Sequence, residues 1–117
     1  MPAPGAWLVA FLLTYAVEAP IVLALTRGTE PGLARRAALI FFAQLATHPL
    51  VWFVFPYIVG IRGGTAALLS EIWAWLAEAA FYALVIRGLT ITRALAISAV
   101  ANGASVLFGV AFARLTL

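Results

Sequence analysis

A chain of 117 residues that is 66% hydrophobic and 9% charged, with a mean hydropathy of +1.12, carries more apolar surface than a water-soluble domain of that size can bury. The composition therefore predicts an integral membrane protein whose first partner is the lipid bilayer. The net charge of +3 comes from seven arginines, no lysine and four glutamates; arginines confined to short loops suit orientation in a bilayer and not a nucleic-acid groove, so no nucleic-acid partner is expected. With no cysteine there is no disulfide, thiolate metal site or c-type haem attachment, and with no lysine there is no Schiff base.

The N-terminal MPAPG lacks the basic region of a signal peptide, and the apolar run behind it holds a glutamate and leads into arginines. That run, Ala6 to Thr26, is expected to be a retained helix. RGTEPGLARR follows as a loop, and the second helix is expected over Ala37 to Val59, the third over Thr65 to Ile86 after GIRGG, and the fourth over Thr92 to Ala113 after RGLTI. Each segment reaches the roughly 20 residues that a bilayer crossing takes. Short connections make consecutive helices antiparallel neighbours, so the fold class is all-α: a polytopic four-transmembrane-helix bundle in one domain, residues 1–117. Arg27, Arg35, Arg36, Arg87 and Arg93 fall on one side and Arg62 and Arg114 on the other, which predicts both termini on the non-cytoplasmic side of a bacterial inner membrane.

Glu18-Ala19 precedes Arg27-Gly28 by the spacing at which Glu78-Ala79 precedes Arg87-Gly88, and Arg36-Ala37 and Arg93-Ala94 each open a following helix. Two readings stand: two pseudo-repeated helical hairpins about an axis along the membrane normal, or coincidence in Ala- and Arg-rich sequence.

Counted at 1.5 Å per residue, Glu18, His48, Glu78 and Asn102 lie at similar depth, one per helix. Ionisable groups at such depth are costly and normally turn toward a partner or the bundle interior, so the four are expected to meet. A polar stripe supports them: Gln44 on the face of His48, Glu71 and Tyr82 on that of Glu78, and Ser98 and Ser105 on that of Asn102. Tyr82 is expected to carry the polar path toward the arginine side. Pro20 and Pro49 each withhold a backbone donor within a turn of Glu18 and His48. Three chemistries fit such a cluster. Glu18, His48 and Glu78 could ligate a divalent metal ion, with zinc, manganese or iron suited to nitrogen and carboxylate donors. The two carboxylates could instead share or relay protons. The whole set could also be hydrogen-bonded glue between helices. No HExxH and no GxSxG context point to an enzyme. Ala101, Ser105, Gly109 and Ala113 form a small-residue ladder expected to pack against another helix. Four short helices leave little room for complete transport in one chain, so a homo-oligomer or a larger membrane complex is expected.

THPLVW, the Glu78-Ala79 pair and SAVANGAS resemble the T-H-P-x-x-W and S-x-x-x-N-x-x-S elements of small four-helix bacterial membrane proteins. The resemblance implies the four-helix fold and directs attention to His48, Glu78 and Asn102; it implies no activity.

Overall fold

Glycine and proline punctuation divides the apolar chain into helices, and the computed structural model, which describes residues 4–58 and 63–116, contains four: α1 (Pro4–Leu25), α2 (Leu33–Phe53), α3 (Gly63–Val85) and α4 (Ile91–Thr116). Each is long and apolar enough to cross a membrane, with mean hydropathies of 2.2, 1.7, 1.4 and 1.9 over their most apolar stretches. The chain is all-helical among the described residues. A short 3-10 helix, Phe55–Tyr57, follows α2.

The two largest departures from the expected boundaries, both in α2, have local reasons. α2 begins a turn earlier, behind Pro31 and Gly32, so Arg35 and Arg36 belong to the helix and not to the loop. It also stops at Phe53, because Pro56 lacks the N–H that a continuing helix needs and tightens the chain into the 3-10 turn. Val59 and Arg62 lie outside the described residues. Gly28 and Gly88, at φ of 85° and 84°, end α1 and α3 in the left-handed conformation that only glycine adopts without strain.

Each helix packs on its neighbours in chain order and α4 closes on α1, so α1 and α3 stand at opposite corners, as do α2 and α4. The half of the bundle nearest the arginine loops is sealed by Val22, Ile40, Ala79, Tyr82, Ile86 and Ile97, all buried. Arg36, 8% exposed, locks that end: its guanidinium donates to the carbonyls of Leu23 (2.8 Å) and Pro31 (3.0 Å) and to Thr26 Oγ1 (2.7 Å). Arg93 donates to Leu25 O at 2.8 Å. Both satisfy carbonyls that the end of α1 leaves without helical donors. Apolar side chains elsewhere point outward, among them Leu84, Leu107 and Leu115.

Candidate functional site

One step toward the termini from the sealed core, Glu18 on α1 and Glu78 on α3 face each other across the bundle, 1% and 2% exposed. Their link is Gln44 on α2. Its Nε2 donates to Glu18 Oε2 and lies 3.4 Å from Glu78 Oε1. Asn102 Nδ2 on α4 donates to the same Glu78 oxygen at 3.1 Å and is oriented by Ser98, whose carbonyl and hydroxyl accept from it at 2.9 and 3.1 Å. Thr47 Oγ1 donates to Glu78 Oε2 at 3.0 Å. Both oxygens of Glu78 are thus engaged, whereas Glu18 Oε1 is buried without a hydrogen-bond partner. An unpaired buried oxygen is an unusual and costly arrangement.

His48, a turn beyond Gln44, turns away from the carboxylates. Its ring sits among Phe11, Trp7 and Trp52, with centroids 5.7, 6.3 and 6.2 Å away. Nε2 makes a long contact of 3.5 Å with Thr14 Oγ1, and Nδ1 is buried without a partner. Among the described residues no three histidine, aspartate or glutamate side chains group closely enough to hold a metal ion. The expected Glu18, His48 and Glu78 metal set is therefore not assembled. The aromatic residues of α1 and α2 draw the imidazole to their own side.

Above the carboxylates the bundle opens toward its termini into a cavity of about 400 Å³. Glu18, Glu78, Gln44 and Asn102 reach it from below; Glu71, Thr14, Ser105 and His48 stand along its walls. Three of the chain's four glutamates line this space, and among the described residues no arginine does. The fourth, Glu30, pairs with Arg87 at 2.9 Å on the exposed surface. Tyr82 is absent from the lining. It lies wholly buried on the sealed side, beside Gln44 and the carboxylates of Glu18 and Glu78 and packed into the apolar cluster, so the stripe ends there, closed from the cavity. The small-residue ladder also behaves differently from expectation: Ala101 is buried, but Ser105, Gly109 and Ala113 face the cavity, and a Cβ placed on Gly109 would meet nothing within 4 Å.

Several contacts occur twice, offset by 60 residues from Tyr15 to Trp75 and Glu18 to Glu78 and by 58 from Ala37 to Leu95 and Gln44 to Asn102. Tyr15 Oη donates to Ala37 O at 2.9 Å, and Trp75 Nε1 to Leu95 O at 2.8 Å. Gln44 donates to Glu18, and Asn102 to Glu78. The loop bonds Thr29 N to Thr26 O and Arg36 N to Gly32 O match Leu89 N to Ile86 O and Ala94 N to Thr90 O. In this correspondence Arg35 aligns with Arg93, one residue away from the pairing of Arg36 with Arg93 that charge alone suggests. A sequence signal for it exists: Ala43-Gln44-Leu45-Ala46-Thr47 lines up with Ala101-Asn102-Gly103-Ala104-Ser105.

The structure thus brings Glu18, Glu78, Asn102, Gln44 and Ser98 together with Tyr82 beside them, sets Glu71 and Ser105 on the cavity wall, and separates His48 from the cluster. Thr47 and Thr14 were missed by sequence reasoning, since threonine is too common in apolar helices to stand out. No protein family, curated protein or solved structure matches this chain.

Proposed function

We propose that the chain is an integral membrane protein of a bacterial inner membrane that binds a cation, in the simplest case a proton, at the Glu18–Glu78 pair and exchanges it through the cavity. The observation that carries this reading is Glu18 Oε1, a buried acceptor without a partner beneath a cavity that gathers three carboxylates and, among the described residues, no arginine. Two carboxylates sharing one amide repel each other strongly in a medium of low dielectric unless a positive charge sits with them. A proton meets that need without the convergent ligand set that a divalent ion takes.

The termini face away from the cytoplasm in this reading, because Arg27, Arg35, Arg36, Arg87 and Arg93 share one end. The cavity then opens to the non-cytoplasmic side. The recurring contacts support two helical hairpins, α1–α2 and α3–α4, related by a pseudo-twofold axis along the bundle. Movement of the cation across the whole membrane would require a second copy or another subunit, since the arginine half is sealed.

A second reading, in which the cluster only fixes helix register, is favoured by one observation: Gln44 ties both carboxylates together much as interhelical glue would. Infrared titration of the protein in lipid bilayers separates the two. Cation exchange expects the carbonyl band of a protonated carboxylic acid that titrates reversibly and disappears in a folded Glu18→Gln variant. No titrating band assignable to Glu18 or Glu78 overturns it and leaves the structural reading.

A further inference from the structure

Building on the cation-binding reading, we propose that the cavity takes an organic monocation with an apolar body, its ammonium or guanidinium head at Glu18 and its body against the small residues of α4. Size argues first. A space of about 400 Å³ greatly exceeds what a proton or a single water needs and falls within the range of small-molecule pockets. Sign argues second: Glu18, Glu71 and Glu78 line it with no arginine among the described residues, and Oε1 of Glu18 is a buried acceptor that no protein donor meets.

The walls supply the apolar part. Val51 and Trp52 of α2 stand across from Val106, Gly109 and Val110 of α4, and Trp52 is an aromatic residue of the lining. The void has a visible origin in the repeated scaffold. Where α2 carries His48, Val51 and Trp52, the corresponding places on α4 hold Val106, Gly109 and Val110, so the bulk that fills one hairpin is missing from the other. A side entrance exists as well. A cleft of about 250 Å³ between α1 and α4 shares Ala10, Thr14, Ser105 and Gly109 with the main cavity and is otherwise apolar, with Val9 and Phe112 among its walls. In a bilayer such a cleft meets acyl chains, which admits a hydrophobic body while the charged head passes Thr14 and Ser105. Arrival of one positive charge at Glu18 displaces one proton, so charge in the site is conserved.

The test measures binding of benzylammonium to the full chain in lipid nanodiscs, by calorimetry in two buffers of different protonation enthalpy, beside its uncharged carbon isostere ethylbenzene. The expected result is binding of the cation at least about tenfold tighter than the isostere, with release of one proton per cation. Gly109→Leu, which fills open space, and separately Ala113→Leu, should weaken cation binding about tenfold or more while the Glu18 infrared band still titrates. Equal affinity for cation and isostere, or unchanged cation binding in both filled variants, overturns the inference. Those results with the infrared band intact leave proton binding at Glu18 standing. Loss of the band in the unmodified protein removes both.

Discussion

Gln44 is the residue on which the cluster turns. Among the described residues it is the side chain whose amide reaches both Glu18 and Glu78, and it is 1% exposed. Gln44→Leu keeps the volume but strips the shared donor, which leaves a second Glu18 oxygen unpartnered. Thermal or denaturant unfolding in detergent should show a loss of about 1–3 kcal/mol, and a variant as stable as the parent would contradict the geometry. Glu18→Gln should behave oppositely, since it removes a charge while keeping an oxygen and adding a donor. Its stability should match or exceed that of the parent in the same unfolding measurement. Elemental analysis of the purified protein should find no stoichiometric zinc, manganese or iron, because His48 is held by Trp7, Phe11 and Trp52 away from the carboxylates. A metal lost on replacing Glu18 would refute that.

At the scale of the helix, each hairpin is pinned by one aromatic donor on a neighbouring backbone: Tyr15 on α2 and Trp75 on α4. Interhelical hydrogen bonds of this kind contribute about 0.6 kcal/mol on average and up to about 1.7 in membranes. Tyr15→Phe and Trp75→Phe should each cost an amount of that order, and the double variant should cost their sum to within about 0.5 kcal/mol because the two pins share no partner. Stronger coupling would mean that the hairpins do not close independently. These pins also show what sequence reading reached. The four helices, and the depth shared by Glu18, Glu78 and Asn102, follow from apolar run lengths and a constant rise per residue. Rotation about each helix axis does not. Depth alone put His48 with the carboxylates, but the packing of Phe11 and Trp7 turned it to another side. Charge matching aligned Arg36 with Arg93, although Arg36 folds back on Pro31 and Leu23, a use of arginine that composition cannot distinguish from a loop charge. The end of α2 depended on Pro56, a residue visible in sequence but set inside an apolar run that otherwise reads as continuous helix.

For the molecule as a whole, the arginine end is tight and the termini end is hollow. The covalent link between hairpins lies at the hollow end, between α2 and α3, away from the Arg36 and Arg93 contacts that bind the sealed end. Fragments 1–60 and 61–117, co-expressed in a membrane, should therefore reassociate and co-purify; failure with both fragments inserted would show that the short connection is essential. The near-repetition of contacts has one more consequence. A homodimer of a single hairpin must build both its sides from one sequence, so a ring-filled pocket on one side commits the other to the same filling. Carried on one chain, the two sides are free to differ, and this protein uses that freedom above its matched carboxylate–amide pairs: one side is packed with Trp7, Phe11, His48 and Trp52, the other left open beside Gly109 and Ala113. Unlike tops over like carboxylate–amide contacts turn the cavity toward one side of the bundle.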